Sequence, residues 1–80
     1  MERLKIVERL TKIFHKTFSD DSILLVDELT ANDVNDWDSL THIMLIVETE
    51  KKFNIKFLSS EIISWENVGK MIDCIEEKLK

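Results

Sequence analysis

Ser39 is the residue through which this sequence can do chemistry. It sits in Asp38-Ser39-Leu40, after the polar stretch Asp33-Val34-Asn35-Asp36-Trp37 and before an amphipathic run that ends Glu50-Lys51-Lys52-Phe53. A serine so placed can cap a helix, act as a nucleophile, or carry a covalent group. As a cap, its hydroxyl would accept from a backbone N–H of the next turn, so Ser39 is expected to be the N-cap of a helix over 40–53. A phosphate ester on its oxygen would then lie at the positive end of the helix dipole. As a nucleophile it would need a positioned base, an orienting acid and an oxyanion hole. His42 lies three residues on, but one helix and an acidic loop supply no oxyanion hole, so a hydrolase is disfavoured.

The other chemistry-bearing residues offer less. His15 is expected at the surface or boundary of the first helix. Cys74 is the single cysteine, so an internal disulfide or a multi-cysteine zinc site is excluded. Asp33, Asn35 and Asp36 invite a calcium loop. Counted from Asp33, however, the sixth position, where an EF-hand needs glycine, holds Asp38. Nucleic acid is disfavoured near Ser39. From Thr17 to Glu50 there are nine acidic residues and no lysine or arginine, while the remainder has seven acidic and eleven basic ones. Phosphates would be repelled there, and partners with basic surfaces favoured.

Eighty residues allow one domain, residues 1–80, with one small core. A hydrophobic share of 44% argues against disorder. One glycine and no proline fit helices joined by loops better than a sheet. No apolar run approaches the length of a membrane span, and the N-terminus lacks the apolar block of a signal peptide, so the cytoplasm is the expected compartment.

Four helices must position Ser39. The first is expected over about 2–18, with Leu4, Val7, Leu10, Phe14 and Phe18 as its core stripe, widened by Ile6 and Ile13. Its other face carries Arg3, Lys5, Arg9, Lys12 and Lys16. A long connection follows, too apolar at Ile23, Leu24, Leu25, Val26 and Leu29 to be a free linker. Within it, Thr30-Ala31-Asn32-Asp33 has the spacing of a capping box, and Val34 and Trp37 are expected to anchor the approach to Ser39. In the second helix Leu40, Ile43, Ile46, Val47 and Phe53 are expected to face the core. Met44 and Leu45 cannot share that stripe, so an apolar exposed patch is expected. Asn54 suits the left-handed stop, and Ile55 and Phe57 point inward from an extended connector with no partner strand. Ser59 or Ser60 is expected to cap a short third helix. Asn67 is expected to cap a fourth, with Val68, Met71, Ile72, Ile75 and Leu79 on one face. The expected fold is all-α: a small four-helix bundle with a long first loop and a short third helix.

Asp38-Ser39-Leu40 at the head of the second helix resembles the signature of the acyl carrier protein family, and length and helix order extend the resemblance over nearly the whole chain. The resemblance implies a 4'-phosphopantetheine arm, moved from coenzyme A onto Ser39 by a phosphopantetheinyl transferase, with Asp38 helping that enzyme and its metal ion to recognise the site. It implies acyl groups held as thioesters on the arm. The partners would be acyl-transferring, condensing or acyl-activating enzymes of fatty-acid, polyketide or related specialised biosynthesis, the chain being no enzyme itself and a monomer. Two departures bear on the pathway. Fatty-acid synthesis carriers typically have glycine where this chain has Asp36, and acidic residues where it has Thr41 and Met44. The Trp-Asp-Ser-Leu-Thr-His form resembles stand-alone carriers of specialised pathways. An aminoacyl or peptidyl carrier shares the serine and the arm. An unmodified helical interaction module, docking through Met44 and Leu45, is the remaining alternative. Met44 and Val47 are expected on or beside the partner-facing side.

Overall fold

The computed structural model describes residues 1–80, all of them in one helical arrangement without strands. Four α-helices follow in order: α1 (Arg3–Phe18), α2 (Ser39–Phe53), α3 (Ser59–Ser64) and α4 (Val68–Lys78), with one 3-10 turn (Ala31–Asp33) in the long loop between α1 and α2. No helix is long and apolar enough to cross a membrane.

The core joins α1, α2 and α4. Ile6, Leu10, Ile13, Phe14 and Phe18 of α1 meet Val68, Met71, Ile72 and Ile75 of α4 in one buried cluster. The α4 stripe is as its spacing predicts, with Leu79 partly buried. On α1 the stripe is rotated towards Ile6 and Ile13. Leu4, expected inside, is 80% exposed. Leu4 sits in the first turn, where Arg3 instead turns inward to pair with Asp73 (2.7 Å), Glu76 (3.3 Å) and Asp27 (3.4 Å), tying α1, the loop and α4 together.

The long loop packs its own side chains. Ile23 and Val34 are buried, and Leu25, Leu29 and Trp37 pack against the core. Leu24 and Val26, equally apolar in sequence, point outward. Thr30 N–H donates to Asp33 Oδ2 (3.0 Å) and Asp33 N–H to the Thr30 carbonyl (3.0 Å), closing the 3-10 turn. His15 Nε2 donates to the Ile23 carbonyl (2.8 Å), so this half-buried imidazole pins the loop to the end of α1.

Gly69 shows what the single glycine is for. Its N–H donates to the Asp27 carbonyl (2.9 Å), and Val68 N–H donates to Leu29 O (2.9 Å). A Cβ on Gly69 would stand 2.9 Å from Asp27 Cβ. The loop lies directly on the first turn of α4, and only glycine leaves room for it.

Helix ends follow the expected residues in part. Asn54 stops α2 at φ 56°, with its N–H bonded to the Glu50 carbonyl. Asn67 caps α4 through Oδ1, which accepts from Lys70 N–H (3.0 Å). Neither Ser59 nor Ser60 caps α3. The N-cap position is Leu58, which offers no side-chain cap; Glu61 three residues on instead reaches back and accepts from the Leu58 N–H (2.7 Å). That backbone bond foremost, and Lys78 beside it (2.9 Å), holds the Glu61 carboxyl below its ordinary range. Ile55 and Phe57 pack inward from an unpaired connector, Phe57 edge-on to Trp65 (4.8 Å between ring centroids).

Candidate functional site

Asp38, not Ser39, caps α2. One carboxylate oxygen of Asp38 accepts from Leu40 N–H (3.0 Å) and from Thr41 N–H (3.0 Å), and Thr41 Oγ1 accepts from Asp38 N–H (2.8 Å). Ser39 is therefore the first helical residue, exposed, and its hydroxyl has no capping duty. The correction has a physical basis. Both residues are good caps, but only the residue with extended backbone can reach forward to those N–H groups, and that is Asp38 (φ −120°, ψ −168°). The hydrogen bond from Thr41 N–H above all lowers the Asp38 pKa, so the cap stays ionised into acid.

The N–H groups that would cradle a phosphate on Ser39 are already taken by Asp38. The helix dipole still favours an anion there, but a phosphate would be tethered outward, not seated among donors.

The turn before Ser39 is held from both sides. Trp37 packs edge-on to Phe14 (5.4 Å) and tilted against Phe18 (5.6 Å), both on α1. Its indole N–H donates to His42 Nδ1 (3.0 Å). An indole N–H can only donate, so Nδ1 is the acceptor and neutral His42 carries its proton on Nε2. Partial burial lowers the His42 pKa. The bond spans Ser39, since one partner precedes it and the other follows. His42 is thus a brace for the turn and no catalytic base for the serine. Sequence spacing placed it near Ser39, but only the fold pairs it with Trp37.

Asp36 adopts φ 68°, in the left-handed region that favours glycine. Thr41 Oγ1 donates to the Asp36 carbonyl (2.6 Å) and helps to hold it.

Beside Ser39 lies an open cleft of about 570 Å³, bounded by the end of the long loop, the start of α2 and the entry to α4. Leu29, Trp37, Trp65, Val68 and Met71 supply apolar wall; Thr30, Asp38, His42, Glu66 and Asn67 supply polar wall. Cys74 is not among the lining residues; burial foremost, and the nearby Glu61, raise its thiol pKa, which keeps it protonated and unreactive.

On α2, Leu40, Ile43 and Val47 face out against expectation, while Phe53 is buried and Met44 exposed as expected. Leu40 (67%), Ile43 (59%), Met44 (46%) and Val47 (41%) are exposed, whereas Leu45, Thr49 and Phe53 are buried. Leu45, fully buried, is no part of the exposed patch. Thr49 can occupy a core position because its hydroxyl donates to the Leu45 carbonyl (2.7 Å). A stripe of four exposed apolar side chains thus descends from Ser39.

No protein-family model matches the chain. D-alanyl carrier proteins of Streptococcus pyogenes, among them those of serotype M5 (strain Manfredo) and serotype M49 (strain NZ131), are 36% identical over 76 residues, covering 92% of this chain and 95% of theirs. The chain belongs to the acyl carrier protein family. A solution NMR structure of a holo acyl carrier protein from Geobacter metallireducens superposes with a TM-score of 0.88 at 44% identity, over 92% of this chain and 85% of that one. The four-helix, strand-free fold is that of a carrier protein.

Proposed function

We propose that this carrier holds its cargo on a 4'-phosphopantetheine arm esterified to Ser39, within an acyl carrier domain formed by residues 1–80. The observation that carries the proposal is the hydroxyl at the head of α2: exposed, released from capping by Asp38, and braced through Trp37 and His42. The arm, when bound, supplies a thiol that holds an acyl group as a thioester. Ser39 supplies the ester oxygen. Asp38 keeps the turn rigid and presents negative charge to a phosphopantetheinyl transferase. Outward tethering leaves the arm mobile, which suits delivery to several enzymes at high effective concentration.

The cleft beside Ser39 is open and sets polar Thr30, Glu66 and Asn67 among its apolar side chains; a long saturated chain laid there would desolvate them, which favours a short acyl group. An aminoacyl group fits that chemistry, and the D-alanyl carriers among the relatives favour it. A fatty-acid or polyketide intermediate is the second reading, favoured by the acyl carrier among solved structures. Partners are then the transferase, an acyl- or aminoacyl-activating enzyme, and enzymes that receive the cargo. They would approach the α2 face at Leu40, Ile43, Met44 and Val47. The chain itself acts in the cytoplasm and catalyses nothing.

Intact mass after incubation with coenzyme A and a phosphopantetheinyl transferase tests this. The wild type should gain one phosphopantetheine group, and Ser39→Ala should gain none while keeping its helical signal. A wild type that never gains the group, or a folded Ser39→Ala that still does, overturns the proposal. Loading the holo form with D-alanine, other amino acids and acyl groups of increasing length then separates the two cargo readings.

A further inference from the structure

The cleft on the far side of the molecule has no part in the function proposed above. Arg9, Lys12 and Lys16 of α1 face Lys51 and Lys52 at the end of α2, across an opening of about 340 Å³ that contains one acidic residue, Glu48. All five cations are exposed, and none makes an ion pair; the ion pairs of the chain use Arg3, Lys5, His15, Lys78 and Lys80. Lys5 continues the α1 row at i, i+4, i+7 and i+11. The cleft carries 5 − 1 = +4 in a chain of net charge −5, so everything else carries −9.

We infer that this basic cleft is a docking surface for an anionic lipid bilayer, holding the carrier peripherally with Ser39 facing away from the membrane. Three features select a bilayer over other anions. Four of the five cations are lysines, flexible point charges suited to a diffuse negative surface; specific carboxylate or phosphate recognition favours the arginine fork. Protein interfaces are poor in lysine and centre on aromatic or apolar anchors, and the one apolar side chain lining the cleft, Ile13, is buried. No backbone donors converge in the cleft to fix a small ligand, since it lies along helix flanks.

The acidic end does not oppose this docking. Ser39 and Lys51 stand at opposite ends of α2, about 18 Å apart at 1.5 Å per residue. At physiological ionic strength charges are screened over about 8 Å. A surface against Lys51 and Lys52 therefore acts scarcely on Asp33, Asp36 and Asp38, while Lys16, two residues before Phe18, lies nearer the Ser39 end and Glu48 subtracts one charge within the cleft. The charge separation along α2 orients the molecule, leaving the Ser39 turn open to soluble enzymes. With no apolar insertion, binding is electrostatic and reversible by salt.

Flotation of the full chain with phosphatidylcholine vesicles, and with vesicles of equal parts phosphatidylcholine and phosphatidylglycerol, tests the inference and does not depend on what Ser39 carries. Binding is expected only to the anionic vesicles, falling steeply as salt rises. Each of Lys12→Gln, Lys16→Gln, Lys51→Gln and Lys52→Gln should weaken it about fivefold, the share of one basic residue near an anionic surface. The fourfold variant should not float, yet should keep its helical signal and still gain the group on Ser39. Absence of binding to the anionic vesicles at low salt overturns the inference. So does undiminished binding by the fourfold variant, or tighter retention on an acidic polypeptide or on DNA than on the vesicles.

Discussion

Helices α2 and α4 each carry a row of apolar side chains and use it in opposite ways. On α4, Val68, Met71, Ile72 and Ile75 are all buried against α1. On α2, Leu40, Ile43, Met44 and Val47 are left in solvent, and the helix is held by Leu45, Thr49 and Phe53. One helix spends its hydrophobic surface on stability. The other keeps a row of it exposed below Ser39, on the face proposed above for docking. An apolar stripe therefore marks a buried face only when the rest of the chain has enough surface to cover it.

Substitutions can break this contrast. Ile72 is fully buried, so Ile72→Ala should destabilise the fold by about 2–5 kcal/mol, the usual cost of a large-to-small change in a packed core. Denaturant unfolding measures it, and a loss as small as that from a surface change would place α4 outside the core. Asp38→Ala comes next. Removing the α2 cap should cost about 0.5–2 kcal/mol, while Ser39→Ala should leave the unfolding midpoint nearly unchanged. Equal losses from both would return the cap to the serine.

Met44→Glu should change stability by no more than about 0.5 kcal/mol, as at other surface sites, yet weaken docking to the enzyme that loads the holo carrier. Unaltered loading kinetics would remove α2 from the docking face. A pH series probes the Trp37–His42 brace. The folded His42 has a pKa below its ordinary 6.5, so below that pH the unfolded chain binds a proton that the folded one refuses. Stability should fall as pH drops through 6.5 towards the lowered folded value and be fully present above it. Tryptophan fluorescence follows this, and His42→Gln should flatten that part of the profile. The smallest effect is expected at Asp36. Asp36→Gly relieves a left-handed residue but loosens the unfolded chain, for a net gain of at most about 1 kcal/mol.

Much of this was legible from residue types alone. The α4 stripe, the Asn54 and Asn67 helix ends, the turn at Thr30 to Asp33, and the inward Ile55 and Phe57 follow from short-range rules, because each rests on neighbours within a few residues. The role proposed for Ser39 rests on a tripeptide and its place before a helix. Three features were decided only by the tertiary structure. The buried face of α2 depends on where α1 lies, and periodicity cannot distinguish two apolar faces of one helix. The cap fell to Asp38 because backbone dihedrals at the turn, fixed by Trp37 packing against Phe14 and Phe18, aimed its carboxylate forward. Gly69 and the basic cleft join segments 42 residues and 32 or more residues apart in sequence, respectively, and no local pattern records which segments will meet.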